Sequence, residues 1–243
     1  MKNGDKKPSI LEVRGLSVAA DGKEILHQIT LNMGQGEVVV LAGPNGAGKS
    51  TLGAATMGMP NFSLSAGEIW FDGKNVTTLP LNERAKMGIF ATFQEPVEVP
   101  GITTREMLKT AAGKVTDAEL TTASKKVGLD IFATTRELNV GFSGGEKKKN
   151  EILQMLVLKP KLVILDEIDS GLDIDAAKQI SKVLAEYQSE TGASFMVITH
   201  NMRILQELSP NRTLVMVGGR IVHEGDGELA KRISKDGFAE FED

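Results

Sequence analysis

Cysteine is absent from all 243 residues. Disulfides, thiolate metal centres and cysteine nucleophiles are therefore excluded within the chain, and any metal–sulfur chemistry would belong to a partner. Long apolar runs are also missing: no stretch approaches the roughly 18–20 residues that cross a bilayer as a helix. Residues 1–8 are charged and lack the apolar core of a secretory signal. These absences predict a soluble, cytoplasmic protein. There is no excess of positive charge either. Formal net charge is -4, and the basic run Lys147-Lys148-Lys149 is too short to make a nucleic-acid surface. Internal repeats and low-complexity segments are lacking.

What is present is a globular composition, 41% hydrophobic and 25% charged, at a length that suits one large domain or a core with a subdomain. One stretch organises the rest: Gly43-Pro44-Asn45-Gly46-Ala47-Gly48-Lys49-Ser50-Thr51. The apolar run Val38-Val39-Val40-Leu41-Ala42 before it predicts a buried strand, and residues 52–57 after it can continue as a helix. Glycines at 43, 46 and 48 let the backbone fold closely around an anion, so that several N–H groups and the helix N-terminus converge on phosphate oxygens. Lys49 supplies a full positive charge to the β- and γ-phosphates, and the Ser50 hydroxyl can join Mg²⁺ coordination. The plainer alternative is an ordinary glycine-rich turn between strand and helix.

Residues 10–33 alternate as antiparallel strands around an Asp21-Gly22 turn, and residues 67–71 with Asp72-Gly73 repeat the pattern. Helical periodicity over 103–128, with a capping-box sequence at Thr116-Asp117-Ala118-Glu119, predicts an all-helical insertion. Residues 161–166 form a continuous apolar strand ending in a carboxylate, as in a parallel strand buried on both faces. A helix over 174–189, a strand over 193–199, a helix over 201–208 and a hairpin around Gly218-Gly219 follow. Residues 240–243 are expected to be a solvated tail. Strands alternating with helices predict an α/β core.

A phosphate loop needs carboxylates from a second strand, and Asp166-Glu167 meets that need. Asp166 would hold Mg²⁺ and Glu167 would polarise the attacking water as general base, although such a pair can also be a helix cap. His200 stands at a strand end, where ligands of open α/β sheets bind, and could contact the γ-phosphate; a lone histidine is more often structural. Gln94, at the end of an apolar segment, could reach the metal or the attacking water. Ser143-Gly144-Gly145 is either an N-cap or a further anion site. Two phosphate-binding elements in one chain suggest one nucleotide shared between two chains.

At these positions the sequence resembles the ATP-binding-cassette (ABC) ATPases. It carries a Walker A loop at 43–51, a Q-loop glutamine at Gln94, a signature at Phe142-Ser143-Gly144-Gly145-Glu146, Walker B at 162–166, a catalytic glutamate at Glu167, a D-loop at Ser170-Gly171-Leu172-Asp173 and a switch histidine at His200. The resemblance covers nearly the whole chain. It implies an α/β P-loop NTPase core with an antiparallel β-subdomain over 1–94 and 161–243, and an inserted helical signature subdomain over 95–160. Gly43, Asn45, Gly46, Gly48, Lys49, Ser50, Thr51, Ser143, Gly145 and Asp173 would hold ATP, and Ser50, Gln94 and Asp166 would hold Mg²⁺. Walker A and B of one copy would face Ser143 and Gly145 of another in a head-to-tail dimer.

Within that superfamily, residues 93–101, 139–154 and 166–175 are similar to the SufC family, the ATPases of the Suf iron–sulfur cluster assembly system. This implies a soluble complex with SufB/SufD-like scaffold proteins, which ATP-driven dimerisation remodels, with no nucleic acid and no membrane insertion. Two departures stand out. The first hairpin, Ser17-Val18-Ala19-Ala20, has no aromatic to stack on adenine, so Val18 would give only an apolar contact. Lys149 stands where a generic cassette often has arginine. Two other readings share the motifs: the ATP-binding subunit of a membrane transporter, and a scaffold that binds ATP without useful turnover.

Overall fold

A computed structural model describes residues 9–199 and 202–241. The chain opens with β1 (Ser9–Ala20) and β2 (Lys23–Gly34), antiparallel partners joined at Asp21 and Gly22. Both turn residues have positive φ, 50° and 77°, the conformation whose twist matches two antiparallel strands. Then come β3 (Val38–Ala42), α1 (Lys49–Met57), β4 (Ser63–Phe71), β5 (Lys74–Asn75), α2 (Leu81–Met87) and β6 (Ile89–Ala91). A four-stranded antiparallel sheet has the order β2-β1-β4-β5.

The insertion follows as β7 (Val99–Thr103), α3 (Thr104–Ala112), α4 (Asp117–Val127), β8 (Glu137–Leu138) and α5 (Gly144–Leu158). It is not all helical, because β7 and β8 pair antiparallel. Two residues of β8 carry no periodicity that a sequence reading could detect. Thr103, Thr116 and Ser143 each close a capping box at the start of α3, α4 and α5, satisfying N–H groups that would otherwise lack partners.

The chain returns through β9 (Leu162–Asp166), α6 (Ile174–Thr191), β10 (Ser194–Ile198), β11 (Arg212–Val217), β12 (Arg220–Asp226) and α7 (Gly227–Asp236). These complete a six-stranded sheet of order β12-β11-β3-β10-β9-β6, in which only the β11–β12 pair is antiparallel. Every residue of β3, β9 and β10 is buried, as expected of parallel strands covered on both faces. The helix expected over 201–208 is only a 3₁₀ turn, Met202–Leu205. Helix α7 buries Leu229, Ala230 and Ile233 after an Asp226 cap, and a 3₁₀ turn, Ala239–Phe241, follows with none of its residues buried.

Two large interiors result, besides a small cluster of Ala42, Val215, Leu229 and Ile233 under α7. One lies between the six-stranded sheet and α4, α5 and α6, around Val163, Leu165, Leu184 and Phe195. The other lies between the two sheets and α1, around Leu11, Leu41, Leu52 and Phe71. Arg84 is the exception in the second: its guanidinium is buried and donates to the carbonyls of Leu79, Ala55, Thr56 and Thr77, tying α2 to the C-terminal end of α1. Burial pushes its pKa down, and four carbonyl acceptors take the place of a carboxylate.

A candidate nucleotide site at the sheet edge

The phosphate loop runs from the end of β3 to α1. Gly43, Gly46 and Gly48 have φ of 156°, 80° and 98°. At Gly43 a side chain would collide with the Met216 carbonyl, so this glycine is required by close approach as well as by backbone conformation. The helix α1 starts at Gly48 with no side-chain cap and no acidic residue in its first turn. The helices α3, α4, α5, α6 and α7 are all capped by a side chain. The N–H groups of α1 are thus left for an anion.

Lys49 is buried and folds over its own loop, its Nζ donating to the Gly43 carbonyl at 2.7 Å and the Pro44 carbonyl at 2.9 Å. Burial lowers its pKa from the usual lysine value, against the opposing charges of Glu167 and Asp166. Asp166 ends β9 and is pushed up by burial, with a hydrogen bond from Ser50 opposing and the charge of Glu167 adding to the rise. Its backbone N–H donates to Thr92 Oγ1 at 2.9 Å. Among the described residues its Oδ1 is buried without a hydrogen-bond partner. An unsatisfied carboxylate oxygen beside a serine hydroxyl suits a hard, oxygen-seeking cation, so these residues fit Mg²⁺.

Glu167 has φ of 47°, uncommon for a non-glycine residue and of the kind that clusters at functional sites. Its N–H donates to the Ile198 carbonyl at 2.9 Å, and its Oε2 accepts from Gln94 Nε2 at 3.2 Å. A cavity of about 760 Å³ extends from Ser50, Gln94 and Glu167 to Ile25 and His27 on β2, and Asn45, Gly46, Gly48, Lys49 and Thr51 also line it. Most of the expected site residues therefore converge. Gly43, Asp166, Ser143, Gly145 and Asp173 do not line this cavity, although the Gly43 carbonyl accepts from Lys49 and Asp166 is hydrogen-bonded to Ser50, both of which do. Ser143 Oγ accepts from the Glu146 N–H as an N-cap, and Asp173 Oδ1 accepts from the Ala176 N–H at 2.7 Å as the cap of α6. His200 lies outside the described residues. Val18 is fully buried and offers no surface to a base, contrary to the sequence expectation.

A set of contacts invisible in the local sequence joins Gln94 to α5. Lys148 and Glu151 are both buried and lie 3.6 Å apart. Lys148 Nζ donates to the carbonyls of Phe93 and Gln94, while Glu151 Oε1 accepts from the Phe93 N–H at 2.7 Å. Burial pushes the Glu151 carboxyl up to about 7, against that N–H bond and Lys148. Asn139 Nδ2 donates to the Val97 carbonyl and Asn150 Nδ2 to Asn139 Oδ1, both at 2.9 Å. Lys148 thus leaves the basic surface run that its neighbours in sequence suggest.

A mixed α/β sheet with a phosphate loop, a strand-end carboxylate pair and a capped signature helix defines a class, the nucleotide-binding cassettes. The family model described as ABC transporter matches residues 26–170, and the chain belongs to that family, as an ABC-type ATPase. Within the family it resembles SufC. It is 40% identical to the probable ATP-dependent transporter SufC of Escherichia coli, over 94% of this chain and 97% of that protein. It is likewise 40% identical to the iron-sulfur cluster assembly protein SufC of Plasmodium berghei, over 98% and 69%. A probable ABC transporter ATP-binding protein of Streptococcus pyogenes serotype M3 is 47% identical, over 95% and 94%. Among solved structures, a nucleotide-free ATP-binding cassette from an ABC transporter aligns with a TM-score of 0.78 and 24% identity, over 96% of this chain and 98% of that one. A dimeric post-hydrolysis cassette bound to ADP and Pi aligns at 0.77 and 21%, over 89% and 98%. Both are likenesses of fold. Among the described residues no helix is long and apolar enough to cross a membrane.

Proposed function

We propose that this chain is the cytoplasmic ATPase of an iron–sulfur cluster assembly machine, which hydrolyses ATP in a transient head-to-tail dimer and so remodels a SufB/SufD-like scaffold. The observation that carries this reading is the similarity to SufC over nearly the entire chain. The lack of cysteine supports it, since cluster ligation then falls to partners.

In this reading residues 1–94 and 161–243 bind the nucleotide, and residues 95–160 present the signature to a second copy. Gly43, Asn45, Gly46, Gly48, Lys49, Ser50 and Thr51 hold the phosphates; Ser143, Gly145 and Asp173 complete the site from the other copy. Their position outside the single-chain cavity supports a shared site. Ser50, Asp166 and Gln94 would hold Mg²⁺, which when bound neutralises charge on the phosphate oxygens. Glu167 accepts a proton from the attacking water as general base, and Gln94 orients its carboxylate. His200 contacts the γ-phosphate. Because ATP bridges two copies, hydrolysis releases the bridge, and closure and opening do work on the partner.

A second reading, the ATP-binding subunit of a membrane transporter, is favoured by the name of the streptococcal relative. Co-purification from the native cell separates the two. The expected companions are soluble scaffold proteins; a companion that requires detergent would overturn the assembly role in favour of transport.

A further inference from the structure

We infer that a second cavity, remote from the nucleotide, binds a small amphiphilic carboxylate, its apolar body against α5 and its acid group among three lysines. The cavity, of about 570 Å³, lies between α4 and the C-terminal ends of α5 and α6. Those ends lead into β9 and β10 at the edge of the parallel sheet opposite the phosphate loop, and no lining residue is shared with the nucleotide cavity. Its size falls within the roughly 300–1,000 Å³ of small-molecule sites. The inference stands apart from the function proposed above.

Leu156, Val157 and Leu158, consecutive at the end of α5 and each only partly buried, line it together with Val115. The hydroxyls of the wall are spent within the protein: Tyr187 donates to the Pro160 carbonyl, Thr122 to Ala118 and Thr191 to Tyr187. The charged groups that face the space therefore select the ligand. They are the ammonium groups of Lys114, Lys126 and Lys159 and the carboxylates of Glu119 and Glu190, an excess of one positive charge. Lys114 has no ion pair or hydrogen bond among the described residues. Lys126 lies 3.6 Å from Glu190 and Lys159 lies 4.0 Å from Glu119, both beyond hydrogen-bond length and both pairs partly exposed. Such pairs hold their partners weakly, so an entering anion can share these ammonium groups. Lys159 is also held in the left-handed region, with φ of 52°, as the C-cap of α5. Each of the other six α-helices has glycine there, which takes that conformation without strain. A lysine at this one helix end fits a requirement for its charge. An apolar wall without free hydroxyls, edged by cations, is complementary to an alkyl or aryl group that carries one acid.

The test is fluorescence titration of the full chain with dansylaminoundecanoate, an alkyl probe with one carboxylate. Saturable binding of one probe per chain is expected, with the same affinity in the presence of saturating MgATP. Thr122→Trp, on the exposed side of α4, fills the cavity and should weaken the probe by at least about tenfold. Lys114→Ala combined with Lys159→Ala should do the same by removing two cations. Unchanged thermal unfolding serves as the folding control for these surface substitutions. Absence of saturable binding, equal affinity in both variants, or displacement of the probe by MgATP would overturn the inference. An acidic amphipathic peptide that binds where the probe does not would also overturn it, in favour of a protein partner. None of these results bears on ATP hydrolysis, so the inference can fail alone.

Discussion

In the six-stranded sheet β3, β9 and β10 are buried residue after residue, whereas the insertion grips the Gln94 segment largely through polar side chains. The two kinds of contact behave differently. Apolar packing has no preferred direction and resists displacement of any strand, because each methylene displaced leaves a void. A buried polar tie is directional: it holds one geometry, and costs heavily when one partner is left alone. The difference suits the two tasks. In the proposed mechanism a phosphate loop stays in place, and the helix that carries Ser143 moves as a unit with Gln94.

The largest expected effect is on chemistry in the rigid region. Lys49→Ala should lower kcat/KM for ATP by at least about 10²–10³, read in a steady-state phosphate-release assay, with Tm little changed. Comparable turnover would show that the loop is not the nucleotide site. Next, Leu165→Ala, in the fully buried strand β9, should cost about 2–5 kcal/mol of stability in denaturant unfolding. A loss near zero would break the contrast, since the core would then tolerate a void.

The polar region predicts a pH dependence instead. Glu151 has a native pKa of about 7, above the 4.5 of an ordinary glutamate, because burial penalises its charge. The folded chain therefore binds a proton that the unfolded chain releases. Stability from this group is fully present below about pH 4.5 and is lost as pH rises through about 7. Glu151→Gln should flatten that fall, gaining about 1–3 kcal/mol relative to the unmodified chain between about pH 5 and about pH 8. Parallel stability curves would show that Glu151 stays ionised in the fold. The smallest effect is expected at the exposed pair Lys231–Glu228, where Lys231→Ala should change stability by less than about 0.5 kcal/mol.

Much of this architecture was legible in the sequence because its signals are local. The continuous runs at 38–42 and 162–166 are strands, and Asp21-Gly22 turns a hairpin. Lys49, Ser50, Asp166 and Glu167 gather as their spacing around those strands implies. What escaped depends on distance or on short length. The Lys148–Glu151 pair meets Phe93 from more than fifty residues away, so no window of sequence contains it. The β7–β8 ladder is too short to show alternation, although α7 had a signal in Asp226 followed by Leu229, Ala230 and Ile233. The expectation for Val18 failed because β1 turns that side chain into the interior, while His27 on the neighbouring strand faces the cavity.

The shared-site proposal is tested most directly by the mass of Glu167→Gln in solution with and without MgATP, measured by light scattering alongside phosphate release. A dimer that forms only with ATP, with turnover lowered by about 10²–10⁴, is the expected result. A chain that stays monomeric with ATP bound, or that hydrolyses ATP at the unmodified rate, would contradict it.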